Sequence, residues 1–329
     1  MGRQVVVGST KDERKHLRST LGPLKDLKVS ASVAKRYDRA VHFFIVFALT
    51  AFGTVAESYA ELDRHVSAYI QELWESGDSK FWAADTLSGL YHKLQVKKVL
   101  PVSWNWLSVW DRHEMPWRSG PLNPEQILAM AGLYFAYGLP EMAALVIVGF
   151  HCMLRTAEVL AIRRCHVSFA NKKASIVLAG KSAARTGHTE TVMVDDSIAV
   201  LMLRSLSEKR SPMEKLHSRS PYSFRKLWRW AIKGLDLDPD TFKPYSMRRG
   251  GATDDWARHQ DAGRLVMRGR WTSLSTAKNY AVEGLRVRDA EHLSESHREK
   301  VLHWSMVAGQ HFAEAEKLMK AGPDSFVVF

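Results

Sequence analysis

Cysteine is scarce in this chain. Only Cys152 and Cys165 occur among 329 residues, and neither stands in the paired Cys/His spacing that holds zinc. The expectation is a reducing compartment, no metal and no cofactor. Long apolar runs are also missing. The most apolar stretch, Phe43 to Ala56 (FFIVFALTAFGTVA), is shorter than the roughly 20 residues that cross a bilayer, so it predicts a buried helix and no membrane association. The first residues, Met1-Gly-Arg-Gln-Val-Val, have no Ser or Thr at the sixth position and no secretory pattern after them, which predicts neither myristoylation nor export. Gly180-Lys-Ser182 ends like a phosphate loop, but Ser175 stands where such a loop needs its first glycine, so nucleotide binding by that loop is rejected. No internal repeat and no low-complexity segment is found.

What the chain has in excess is positive charge. Lys and Arg total 47 against 35 Asp and Glu, a formal charge of +12, and hydrophobic residues make up 46%. The charge favours a polyanionic partner, nucleic acid above all, and the apolar content is ample for two cores. Residues 1–28 are polar and basic without an apolar period and read as a flexible arm. Residues 29–112 carry helical spacing throughout and predict a bundle of four or five helices, with Ser30-Ala-Ser32 as a possible first cap. The prolines around residues 113–124 break that pattern and mark a linker. The remainder, 125–329, opens on Asn123-Pro-Glu-Gln as a helix start and continues through an apolar helix from Glu141 to Ile162. The runs 174–180 and 191–194 are rich in β-branched residues and predict a hairpin; the rest reads as helices. The fold class expected is mainly α with a small β-hairpin or sheet.

Three segments carry possible chemistry. In Met153-Leu-Arg155-Thr-Ala-Glu158 a single arginine follows a fully apolar helix. A buried guanidinium needs a carboxylate or phosphate to accept its donors, and Glu158 lies on the same helical face. That pair either only stabilises a helix or orients Arg155 towards an anion. In Pro244-Tyr245-Ser-Met-Arg248-Arg249-Gly250-Gly251-Ala-Thr253 two arginines sit near a helix start beside two glycines that let backbone approach closely. Such a geometry suits phosphate, and its plainer reading is a surface turn with solvated arginines. Between residues 204 and 233 basic residues dominate, among them Arg225, Lys226 and Arg229, with Trp228 and Trp230 interleaved. This stretch reads equally as phosphate tracking on DNA or as a solvated basic helix.

Taken together, these segments resemble the tyrosine recombinase (phage integrase) family. Its catalytic domain carries an Arg-x-x-Glu box, here Arg155 and Glu158. A later His-x-x-Arg box ending in Ala-Thr is matched by Tyr245 to Thr253, and a Gly-x-His or Gly-x-Trp segment stands nine residues before a tyrosine, here Gly269-Arg-Trp271 before Tyr280. The Arg-Arg-Gly-Gly-Ala-Thr form looks most like recombinases of eukaryotic mobile elements, the Crypton-like and DIRS-like types. The resemblance implies a helical core-binding domain followed by a catalytic domain, and a metal-independent DNA recombinase or integrase working through a 3′-phosphotyrosyl intermediate. It further implies Tyr280 as nucleophile, Arg155 and Arg248 on the phosphate oxygens, Lys181 in the hairpin turn as the acid for the leaving 5′ oxygen, and Trp271 as a further donor. Glu158 orients Arg155, and Arg249, where many relatives have histidine, is a supporting residue or a contact to DNA backbone. The chain departs from the pattern at Tyr245, where the family usually has histidine: a phenol with an ordinary pKa near 10 is a poor base at neutral pH but can still donate or accept a hydrogen bond. By the same resemblance the partner is double-stranded DNA, bound by a homotetramer inside the cell, in the nucleus if the host is eukaryotic. Two other readings remain open: a DNA-binding protein that keeps the fold without cleavage, and a type IB topoisomerase.

Overall fold

A computed structural model describes residues 10–21, 27–95, 98–114, 118–178, 190–208, 210–281 and 293–321. The chain divides into two compact units, Met1–Trp117 and Arg118–Phe329.

The first unit is all helical: α1 (Lys11–Leu21), α2 (Ala31–Phe52), α3 (Tyr59–Glu75), α4 (Lys80–Leu94) and α5 (Pro101–His113). Helix α1 falls where the missing apolar period predicted a flexible arm. It forms on a reciprocal cap instead, the Glu13 N–H donating to Thr10 Oγ1 at 3.2 Å and the Thr10 N–H to Glu13 Oε2 at 3.1 Å, a signal that periodicity does not register. Ser30 stands at the start of α2 but makes no side-chain cap. That helix ends at Gly53, whose φ of 74° closes the turn in the left-handed region. The apolar stretch inside α2 is buried on one face only. Phe44 and Ala48 enter the core with Val66, Ile70, Leu87 and Leu107, while Phe43, Val46, Leu49 and Phe52 are exposed among the described residues. The helix expected to be buried here is buried along one stripe, the one that α3 and α4 cover. The buried Asp63 caps α5, its carboxylate accepting the N–H groups of Val102 and Ser103, each at 2.9 Å.

The second unit begins with α6 (Pro124–Ala136), opened by a full capping box between Asn123 and Gln126, and α7 (Pro140–His151), in which nine successive residues from Met142 to Phe150 are buried. The long helix expected over residues 141–162 breaks after His151. Met153 takes a φ of 46°, the Leu154 N–H turns back to the Gly149 carbonyl at 2.9 Å, and a one-turn α8 (Thr156–Val159) follows. No glycine or proline announces this stop, so apolar content alone ran through it. A three-stranded antiparallel sheet comes next, β1 (Val167–Ala170), β2 (Lys173–Leu178) and β3 (Glu190–Val194), in the order β1-β2-β3 with Val167 opposite Ile176 and Ile176 opposite Val192. The hairpin expected from the sequence is β2–β3; β1, only four residues long, was too short to read.

Among the described residues six further helices follow: α9 (Ser197–Ser207), α10 (Pro221–Gly234), α11 (Ser246–His259), α12 (Ala262–Gly269), the short α13 (Leu274–Lys278) and α14 (Glu295–Ala321). Helix α14 lies on α6 of its own unit, so close that a Cβ on Gly132 would stand 1.8 Å from the Trp304 carbonyl oxygen. The main core joins Ile127, Met130, Leu145, Ile147, Phe224, Trp228 and Met247. Trp228 is therefore a core residue, its indole N–H donating to the Phe242 carbonyl at 2.8 Å. A separate small cluster of Met153, Ala252, Leu265, Trp271 and Ala277, flanked by Tyr280, underlies the candidate site.

Candidate active site

The break between α7 and α8 fixes the first arginine. Arg155 is the N-cap residue of α8. Its backbone N–H donates to Glu158 Oε2 at 2.8 Å and its Nη1 to Glu158 Oε1 at 2.5 Å. Glu158 is itself buried. Burial alone would raise its pKa, but the guanidinium of Arg270 and the N–H and guanidinium of Arg155 hold it below the usual carboxylate range. The pair is thus a charged one at neutral pH, with Arg155 still partly open to solvent.

Helix α11 brings the second arginine. The glycines beside it serve protein packing: a Cβ on Gly250 would lie 2.1 Å from the Leu122 carbonyl oxygen, and one on Gly251 2.1 Å from that of Phe150. The close approach anticipated from the sequence is therefore to neighbouring backbone and not to a ligand. It sets α11 against the end of α7, where the Arg248 side chain, 0% exposed, donates through Nη1 to the Met153 carbonyl and through Nη2 to that of Gly269. Its Nε has no hydrogen-bond partner among the described residues. The rings of Trp271 and Tyr280 cover the guanidinium, with centroids 4.9 and 5.5 Å from its central carbon. Burial, with the charges of Arg155 and Arg270 alongside, pulls its pKa down to about 10, still charged at neutral pH. Arg249 turns the other way, donating to the carbonyls of Ser119 and, at 3.3 Å, Asn279. It ties down the segment that presents Tyr280, and it is buried, not offered to the surface.

The two phenols meet above this floor. The hydroxyls of Tyr245 and Tyr280 are in hydrogen-bond contact. Burial and that contact push the Tyr245 pKa up. For Tyr280 burial again acts upward, but the Tyr245 hydroxyl and the charges of Arg248 and Arg155 outweigh it, so its pKa falls below the ordinary phenol value. The Trp271 ring packs 4.6 Å from that of Tyr280, enabled by Gly269, where a Cβ would strike the indole at 1.8 Å. The Trp271 N–H is buried and has no hydrogen-bond partner among the described residues, although its proximity adds to the lowering at Tyr280.

Arg155, Glu158, Tyr245, Arg248, Trp271 and Tyr280 thus converge from positions up to 125 residues apart in sequence. Lys181 lies outside the described residues. Arg225, Lys226 and Arg229 are on the exposed face of α10, where Arg229 pairs with Asp240 at 3.4 Å, and they are no part of the cluster. The reading of the sequence missed Arg270, whose side chain is 7% exposed and donates to Glu158 Oε2 at 2.8 Å. The only available signal was a second basic residue in Arg268-Gly-Arg270-Trp271. Among the described residues no group of three or more His, Cys, Asp or Glu is arranged to hold a metal ion, and no helix is long and apolar enough to cross a membrane.

The helical unit, the small antiparallel sheet and the cluster at the end of α7 define a class of fold, that of the tyrosine recombinases and integrases. The chain is similar to the Tn1549 transposon integrase solved in complex with transposon right end DNA, at a TM-score of 0.56 and 12% identity, covering 80% of this chain and 95% of that one. It is similar also to the XerH site-specific recombinase in its post-cleavage complex with palindromic difH substrate, with a TM-score of 0.53, 14% identity, and coverage of 85% and 81%. No family model and no curated protein matches the sequence.

Proposed function

We propose that the chain is a site-specific DNA recombinase or integrase that cuts and rejoins double-stranded DNA through a 3′-phosphotyrosyl intermediate. The observation that carries this reading is the Tyr280 hydroxyl, held by Tyr245 beside two arginines that come from separate helix ends. The Tyr280 oxygen attacks the scissile phosphorus, the bond to the 5′ oxygen breaks, and the phosphotyrosyl ester forms while the phenolic proton leaves to water. Lys181 gives the departing 5′ oxygen its proton, and a 5′ hydroxyl of another strand reverses the step. Arg155 and Arg248 take the non-bridging oxygens, where forked donors outperform a point charge, and the Trp271 N–H adds a third donor. These cations supply the charge the reaction needs, so cleavage is expected to survive chelation of divalent metals. Since the Tyr280 ring covers Arg248, phosphate docking has to swing that ring aside. The first unit serves as the core-binding clamp, the exposed basic face of α10 tracks DNA backbone, and the working assembly is a homotetramer on DNA inside the cell.

One observation favours a second reading. Arg248 is wholly buried and both its terminal nitrogens already donate to carbonyls, which suits a DNA-binding protein that does not cleave. A denaturing gel with nicked duplexes of degenerate sequence separates the two. A covalent adduct with the native chain, lost in Tyr280→Phe, supports the enzyme; salt-sensitive binding without any adduct supports the binder.

A further inference from the structure

Arg270 makes polar contacts to several segments around the cluster, and no step above uses it. Its Nη2 donates to Glu158 Oε2 at 2.8 Å and to the Met153 carbonyl at 3.3 Å. Its Nη1 donates to the carbonyls of Cys152 and Arg268, each at 3.3 Å. Its Nε lies 3.3 Å from Glu190 Oε2. One guanidinium therefore touches the end of α7, the turn into α8, the first residue of β3 and the end of α12. The backbone there makes the side chain's presence informative. Arg270 has a φ of 56°, a left-handed position that glycine adopts without strain and a long side chain does not. The contacts have to offset that strain.

We infer that Arg270 is a positioning residue: it pins the Glu158 carboxylate, and through Glu158 it fixes the Arg155 guanidinium in the site. Glu158 has two oxygens and divides them. Oε1 takes the Arg155 side chain, while Oε2 takes both the Arg155 N–H and Arg270. Without Arg270 the carboxylate loses a partner that is itself tied to the carbonyls of Cys152, Met153 and Arg268, and its hold on Arg155 loosens. Arg270 also shares the Met153 carbonyl with Arg248, so the same side chain joins the supports of both arginines. Lysine cannot reproduce this. It brings the charge but only one compact head group, which cannot span Glu158, Glu190 and the carbonyls of the α7–α8 turn.

Under the recombinase reading, on which the consequence for cleavage rests, loosening Arg155 slows the chemical step and leaves DNA affinity nearly intact. A misplacement of about 1 Å is enough for an effect on the order of 100-fold. The test uses the full chain with Arg270→Met, which keeps bulk and loses the fork, and Arg270→Lys, which keeps charge. Amide hydrogen exchange on the DNA-free protein reads the positioning directly. In Arg270→Met the amides of Arg155 and Glu158 are expected to exchange at least about tenfold faster, with those in the middle of α7 unchanged. Single-turnover adduct formation is expected to fall about 10- to 100-fold at saturating DNA, with affinity within about threefold, and Arg270→Lys to recover only part of the loss. Unchanged exchange at residues 155–158 overturns the inference whether or not the protein cleaves. So does full recovery by Arg270→Lys, since charge alone would then be what matters. If Arg270→Met does not fold, the exchange and rate comparisons are made on Arg270→Lys. If the native chain forms no adduct, the recombinase reading fails, and the exchange result still decides whether Arg270 holds Glu158.

Discussion

Tyr245→Phe is the most informative single change. It removes one hydroxyl and keeps the ring, whose centroid lies 5.8 Å from that of Tyr280. In the native chain the Tyr245 and Tyr280 hydroxyls are in hydrogen-bond contact, and Tyr280 is the phenol whose pKa is lowered. A hydrogen bond to a charged acceptor contributes about 1.5–3 kcal/mol, and losing this one removes stabilisation of that order from the Tyr280 phenolate. Tyr245 is 39% exposed, so water replaces part of the lost bond and the lower end applies. The sign follows from the reactive species. Tyr280 attacks as the phenolate, whose population at a given pH falls tenfold for each loss of about 1.4 kcal/mol of stabilisation. A loss at that lower end therefore cuts the single-turnover cleavage rate about tenfold and moves the rising limb of the pH profile to higher pH. The assay is adduct formation on a nicked duplex, followed from about pH 6 to 9. A rate loss with the rising limb in its native position would refute the reasoning, as would a variant that matches the native chain.

Other substitutions probe the rest of the account. Gly251→Ala forces a Cβ to 2.1 Å from the Phe150 carbonyl oxygen, and backbone cannot retreat as a side chain can. Destabilisation of at least about 1–3 kcal/mol is expected, visible as a fall in melting temperature of several degrees; an unchanged melting point would count against the packing described. Arg155→Lys keeps the charge but loses the fork to phosphate and Glu158, so cleavage is expected to drop by about 10-fold or more with DNA affinity little changed. Reversing charge at Arg225 and Lys226 on the exposed face of α10 is expected to weaken DNA binding and to flatten its salt dependence by up to about 0.9 per lost phosphate contact; an unaltered slope makes that face a solvated one.

The parts of the fold legible in the sequence were those written in local pattern. Helical spacing in the first unit and the β-branched runs of β2 and β3 both signal their elements within a few residues. The motif residues of the site were legible because a fixed spacing, such as Trp271 before Tyr280, survives whatever the surrounding sequence does. The α7–α8 break was not, since Met153 reaches its positive φ with no glycine to mark it; tertiary hydrogen bonding to carbonyls of that turn is what the position serves. The role of Gly250 and Gly251 was misread for a related reason. A glycine pair signals close approach but does not say to what, and only the packing of α11 on Leu122 and Phe150 identifies the neighbour. Arg270 escaped notice because its partners, Glu158 and Glu190, are distant in sequence and follow no helical spacing with it.

The central claim is that Tyr280 forms the covalent bond to DNA. Protease digestion of a trapped protein–DNA adduct, followed by mass spectrometry of the nucleotide-bearing peptide, tests it most directly. The account predicts a phosphodiester on Tyr280, in the peptide running on from Trp271. A link at Tyr245, whose hydroxyl touches the same oxygen, or a native chain that binds the nicked duplex and yields no linked peptide, would contradict it.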